Sequence, residues 1–160
     1  MNKLLFLILA VILGVSASAQ SLPDVKVENQ DGKVVSIKSL VKGAPTIISF
    51  WSTTCKPCIM ELNAINENLE DWLEKKEFNV VAVSVDDART LSRARAMTKG
   101  QGWYDFICVY DKNQDLMRAM NVYLTPHVFI VDSKGNIVYS HSGYTPGSEH
   151  ELFEKIKALK

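Results

Sequence analysis

Cysteine is scarce in this chain. Three residues in 160, Cys55, Cys58 and Cys108, are too few for a disulfide-stapled scaffold, and the odd count leaves one thiol unpaired in any intramolecular scheme. A surplus of either charge is also missing: 18 Lys and Arg stand against 18 Asp and Glu, which removes the basic excess that nucleic acid or an anionic membrane surface requires. Glycine (8) and proline (5) are sparse, so collagenous and low-complexity linker classes are excluded. No apolar run reaches the roughly 20 residues that span a bilayer. What remains is a 47% hydrophobic chain long enough to bury about 70% of its unfolded surface in one domain without a metal or disulfide frame. The cysteines are therefore expected to carry chemistry.

Residues 1–19 have the grammar of a secretory signal peptide. Lys3 supplies a basic start, Leu4 to Leu13 an apolar run, and Ala17-Ser18-Ala19 a small-residue cleavage site before Gln20. An uncleaved membrane anchor is the competing reading, weakened by Gly14 and by the short run. No cysteine lies near the site to take a lipid. The expectation is export, to a bacterial periplasm, with cleavage after Ala19 and a mature domain over 20–160, in a compartment where disulfides persist.

Along the mature domain, Val25 and Val27, the turn Asn29-Gln30-Asp31-Gly32, and Val34, Val35 and Ile37 read as a hairpin. Thr46 to Trp51 is a continuous apolar strand of the kind buried on both faces. Leu62, Ile65, Leu69, Trp72 and Leu73 recur at helical spacing. Val80 to Val85 is a second buried strand, Asp87 to Lys99 a polar helix ended by Gly100 and Gly102, and Phe106 to Tyr110 a third strand. Asp115 to Met120 fits a short helix. Val128 to Val131 and Ile137 to Tyr139 flank the turn Asp132-Ser133-Lys134-Gly135, and Ser148 is placed to cap a last helix with Leu152, Phe153, Ile156 and Leu159 on one face. This order predicts an α/β sandwich with parallel and antiparallel pairing.

Cys55-Lys56-Pro57-Cys58 falls where the strand ending at Trp51 passes into the helix carrying Leu62 to Leu73. Free N–H groups and the positive end of the helix dipole stabilise a thiolate at a first turn, and the thiolate is the nucleophile of disulfide exchange. Cys55 is thus expected to attack. Two intervening residues return Cys58 beside it as the resolving thiol, Pro57 stiffens the turn, and Lys56 adds a cation. A zinc site would need ligands from Cys108, His127, His141 and His150, which form no second pair at finger spacing. A static disulfide closing so short a loop would stabilise little.

Phe50-Trp51-Ser52-Thr53-Thr54-Cys55-Lys56-Pro57-Cys58, followed far downstream by Leu124-Thr125-Pro126-His127 before an apolar strand, resembles the thioredoxin superfamily, in particular its TlpA/ResA-like extracytoplasmic thiol-disulfide oxidoreductases. The likeness covers essentially the whole mature chain. It implies a thioredoxin-like three-layer sandwich with a mixed central sheet and an N-terminal β-hairpin. It also implies that Pro126 is the cis-proline facing the dithiol and that Thr125 offers its backbone to the substrate chain. Physical reasoning without the likeness would favour a trans proline opening a strand. Trp51 is grouped with these two at the substrate-binding end, chiefly as packing beneath the dithiol. The implied partners are cysteine-containing protein substrates and a membrane thiol protein that donates or accepts electrons, acting on a monomer with no cofactor, metal or nucleic acid.

One departure bears on proton transfer. Thioredoxins place a buried Asp on the strand just before the Phe-Trp pair, and here that position is Ser49, which cannot titrate. Glu61 lies three residues past Cys58 on the same helical face, where ResA-like proteins carry a functional Glu, and a partly buried carboxylate there could accept the Cys58 proton. Spacing alone leaves equally open a first-turn Glu favoured by the helix dipole. His127, His141 and His150 read as structural or solvated, Arg89, Arg93 and Arg95 as a solvated helix face, and Cys108 as a buried spectator with a raised pKa.

The leading function is a thiol-disulfide oxidoreductase, taken as a reductase, although about 30 mV (1.4 kcal/mol) decides direction. Two alternatives use the same fold. A copper-binding metallochaperone would draw on both thiolates and His127, but such proteins usually have three residues between the cysteines. A thiol peroxidase would place Pro and Thr upstream of a single reactive Cys, whereas here only Thr54 precedes Cys55 and the Pro follows.

Overall fold

The computed structural model describes residues 20–41 and 43–160; the expected leader at 1–19 lies outside them. In chain order the elements are β1 (Lys26–Asn29), β2 (Val34–Ser36), α1 (Ile37–Leu40), β3 (Thr46–Trp51), α2 (Lys56–Leu73), β4 (Asn79–Ser84), α3 (Leu91–Gly100), β5 (Ile107–Tyr110), α4 (Asp115–Ala119), β6 (His127–Val131), β7 (Ile137–Ser142) and α5 (Glu149–Lys157). They build one seven-stranded sheet, ordered β2-β1-β5-β4-β3-β6-β7. The β3–β4 and β4–β5 pairs are parallel and the others antiparallel. The mixed sheet and the N-terminal hairpin match the expected sandwich.

All six residues of β3 are buried, as a strand covered on both faces requires. Its alternate residues divide two cores. Ile47 and Trp51 join Leu62, Ile65, Leu69 and Trp72 of α2 and Leu152, Phe153 and Ile156 of α5. Ile48 and Phe50 join Ile37 of α1 and Leu116 of α4 on the other face. Trp72 and Phe153 stack at 4.7 Å, with 2° between their planes. Truncating a buried aromatic costs about 3–5 kcal/mol, so this pair is a main tie between α2 and α5.

Several boundaries differ from expectation for local reasons. Ile37 opens α1 rather than closing the hairpin; its side chain is fully buried and its N–H donates to Val25 O at 2.9 Å. Helix α3 starts at Leu91, not Asp87. The Asp87 carboxylate accepts from the N–H groups of Arg89 and Thr90 at 2.9 and 3.3 Å, a turn that competes with helix. Strand β7 continues beyond Tyr139 to Ser142. Ser148 makes no side-chain cap bond to α5; its Oγ instead accepts from Thr145 N at 3.4 Å. Arg95 is not solvated: it pairs with Glu28, donates to Gln30 O at 2.7 Å and lies 4.4 Å from the Tyr110 ring centroid, clamping α3 to the hairpin.

Candidate active site

The loop from β3 to α2 is held before it reaches the cysteines. Asp86, just past β4, is buried and accepts from Thr53 N at 2.9 Å, Thr53 Oγ1 at 2.7 Å and Ser84 Oγ at 2.9 Å. Cys55 is the N-cap of α2, with extended backbone (φ −91°, ψ 91°), and its sulfur accepts from Cys58 N at 3.3 Å. A helix N-terminus leaves such donors free, and here one is aimed at sulfur. Cys55 and Cys58 are disulfide-bonded, with Cα atoms 5.3 Å apart. Cys55 is half-buried and Cys58 fully buried, while Lys56 and Pro57 are exposed.

Glu61 follows Cys58 by one helical step and is equally inaccessible. Its Oε2 accepts from Ser49 Oγ at 3.2 Å, so the serine that stands at the strand position binds the carboxylate supplied by the helix. Its Oε1 has no hydrogen bond among the described residues and lies 3.4 Å from His141 Nε2. Trp51 is wholly buried and packs edge-on against Trp103 with centroids 5.1 Å apart, so it presents no surface to a docking chain and its substrate-binding assignment reduces to packing.

The Thr125–Pro126 peptide bond is cis. Strand β6 pairs with β3 through Phe50 and His127, and continuing that register by one residue sets Pro126 across from Trp51, at the sheet end from which α2 departs. Pro126 O accepts from Gly143 N at 2.8 Å, whereas Thr125 enters no backbone hydrogen bond among the described residues. Tyr123 and Leu124, immediately before it, are 81% and 74% exposed. His127 faces the opposite core: Nδ1 lies 2.8 Å from Ser142 Oγ, the ring sits 4.5 Å from Phe129, and burial, then the nearby His141, lower its pKa. Cys108, paired with Ala82 in the middle of the sheet, is buried, and desolvation pushes its thiol up to about 12.

The Redoxin family model matches residues 17–156. The chain belongs to the Redoxin family. Among curated relatives, the thiol:disulfide interchange protein DsbE of Tatumella citrea is 30% identical over 112 residues, 70% of this chain and 57% of that protein. The thiol-disulfide oxidoreductase ResA of Bacillus thuringiensis subsp. konkukian is 28% identical over 139 residues, 86% of this chain and 75% of that protein. The match thus spans less than two thirds of the DsbE relative. The solution structure of a thioredoxin-like protein from Porphyromonas gingivalis shares 42% identity at a TM-score of 0.76, covering 89% of this chain and 94% of that one. The fold is thioredoxin-like.

Within this Redoxin domain the sequence places both cysteines and Glu61 at the start of α2, where the structure has them, but gives little sign of the contacts that Asp86 and His141 make with this region. Asp86 meets Thr53 across 33 residues, and no local pattern announces such a contact. His141 left a weaker signal: two residues past Tyr139, it falls on the same strand face if the strand is not stopped at Tyr139.

Proposed function

We propose that this Redoxin-family chain is a thiol-disulfide oxidoreductase that reduces disulfides of protein substrates. The observation that carries the reading is the division of labour at the start of α2: a half-buried Cys55 whose sulfur receives a backbone N–H, and a buried Cys58 one helical turn from the buried Glu61. In the reduced protein, the Cys55 thiolate attacks one sulfur of a substrate disulfide, forming a mixed disulfide and expelling the other sulfur as a thiolate, which takes a proton from water. Cys58 then passes its proton to Glu61 and attacks the Cys55 sulfur. The Cys55–Cys58 bond forms, the mixed disulfide breaks, and the second substrate thiol leaves reduced.

The Thr125 backbone beside Pro126, unpaired among the described residues, supports a docking role, since an extended substrate segment can bond to it as a strand does to a free edge. Export with cleavage after Ala19, action as a monomer, and re-reduction by a membrane thiol protein complete the proposal. Intact mass of protein exported from a bacterial host should give a chain beginning at Gln20. The activity is tested by equilibrating the Cys55/Cys58 pair against glutathione buffers and following insulin reduction. Reversible two-electron exchange with catalysed insulin precipitation is expected, and a pair that never exchanges overturns the proposal.

A further inference from the structure

A proton handed to Glu61 has to leave a site that water does not reach. Glu61 is fully buried; Ser49, its hydrogen-bond donor, cannot titrate; and its second oxygen, without a hydrogen bond among the described residues, lies 3.4 Å from His141 Nε2. The sheet dictates this meeting. Ser49 on β3 pairs with Val128 on β6, which pairs with His141 on β7, and residues directly opposite one another in antiparallel strands project from the same face. Glu61 descends onto that row from α2. Strand β7 is the last of the sheet, and the His141 side chain is 22% exposed. It lines an open cleft of about 380 Å³ with Tyr139, Ser142, Tyr144 and Ser148 among the walls.

We infer that His141 is the proton relay between Glu61 and solvent, a positioning and transfer residue for the resolving step. The inference rests on the proposed oxidoreductase function and on Glu61 as acceptor of the Cys58 proton. As Cys58 attacks Cys55, its proton moves to Glu61. It then crosses from Oε1 to Nε2 of neutral His141. Both ring nitrogens are covered and the exposed part of the side chain is carbon, so the imidazolium turns about its Cβ–Cγ bond to bring a ring N–H to the cleft, where the proton passes to water. The reverse sequence serves opening of the Cys55–Cys58 bond. Each passage returns Glu61 and His141 to the protonation states in which they began.

The other titratable groups around His141 are committed elsewhere. On its own strand, the Tyr139 hydroxyl donates to Glu151 of α5 at 3.1 Å. In the following loop the Tyr144 hydroxyl donates to Glu149 at 3.0 Å, and burial, that carboxylate and, less strongly, the charge of Glu61 push the phenol up to about 12, so it keeps its proton. Glu149 also accepts from Gly147 N at 2.9 Å, and Glu151 lies 3.9 Å from Lys155. On β6, His127 engages Ser142. Among these groups His141 is the one whose ring nitrogen comes within 4 Å of a Glu61 oxygen.

Reduced protein mixed with 5,5′-dithiobis(2-nitrobenzoate) in a stopped-flow cell should release coloured thiolate twice: a bimolecular phase from attack by Cys55, then a concentration-independent phase from attack by Cys58. His141→Ala should leave the first phase intact and slow the second about tenfold or more. Free imidazole should restore that rate in a saturable manner without affecting the parent. An unchanged second phase, or a slow phase that imidazole does not restore, overturns the relay. If thermal melting shows His141→Ala to be unfolded, His141→Gln carries the test: its second phase should be slowed about tenfold or more with the first phase intact, and a second phase at the parent rate overturns the relay. Glu61→Gln run alongside separates the two levels. A slow Glu61→Gln beside an unaffected His141→Ala removes the relay alone, whereas normal rates in both remove Glu61 as proton acceptor as well.

Discussion

Sulfur occurs in two settings here, the first turn of α2 and the middle of β5, and the settings assign opposite chemistry to the same side chain. Cys55 caps a helix, is half open to solvent and receives a backbone N–H on its sulfur. Cys108 lies within the sheet opposite Ala82, with no hydrogen-bond donor at its sulfur among the described residues, and burial holds it as a thiol to about pH 12. The strand that leads to Cys55, β3, and the strand that carries Cys108, β5, both flank the central β4, so place in the sheet order does not separate them. What separates them is the supply of unpaired backbone donors, which a helix terminus has in excess and a hydrogen-bonded strand lacks.

The largest test of this contrast exchanges the cysteines' roles by substitution. Cys55→Ser should reduce insulin turnover to background, whereas Cys58→Ser should still attack and accumulate a covalent complex with the substrate protein, visible on a non-reducing gel. Recovery of that complex from Cys55→Ser instead would reverse the roles.

Next in size is the proton acceptor. Glu61→Gln should slow the resolving step about 10²-fold while melting within a few degrees of the parent, because the amide keeps the shape and the Ser49 contact. A resolving rate equal to the parent's would return Glu61 to a packing role and narrow the contrast to Cys55 alone.

A smaller effect is expected at Asp86, which serves the helix-terminus site only through the loop. Asp86→Ala strands three donors from Thr53 and Ser84 and should cost about 2–3 kcal/mol in urea unfolding, with a modest fall in exchange rate as the loop loosens. Loss of exchange without loss of stability would mean that the carboxylate acts on the cysteines rather than on the loop.

The smallest effect belongs to Cys108. Cys108→Ala should leave exchange unchanged and cost about 1 kcal/mol at neutral pH. Its pH dependence sharpens the comparison. Between about pH 9, where the unfolded thiol ionises, and about pH 12, where the folded one does, the native state alone holds the proton, so stability falls as pH rises. The variant should lose that contribution, a difference in slope of about 1.4 kcal/mol per pH unit. Parallel parent and variant curves would mean that Cys108 is not desolvated.

The parts of the fold legible in the sequence are those fixed by short-range pattern. The buried run Thr46 to Trp51, the spacing of Leu62 to Trp72 and the dithiol between them locate the β3–α2 junction without coordinates. The cis bond before Pro126 was expected from family likeness and not from physics, since sequence alone favoured trans. Contacts set by strand pairing were not legible. Asp86 reaches Thr53, Arg95 reaches Glu28, and His141 reaches Glu61 only because the sheet order brings distant segments abreast. Ser148 failed as a cap because the neighbouring Thr145 N–H took its hydroxyl.

The most direct measurement of the central claim is the order in which the three cysteines react. The reduced protein is treated with limiting iodoacetamide at pH 6 to 8, and each cysteine's modification is read by peptide mass. The helix-terminus account predicts that Cys55 is alkylated first and nearly alone, that Cys58 follows slowly, and that Cys108 reacts only after urea unfolds the chain. Alkylation of Cys108 in the folded protein at a rate near that of Cys55, or of Cys58 before Cys55, would contradict it.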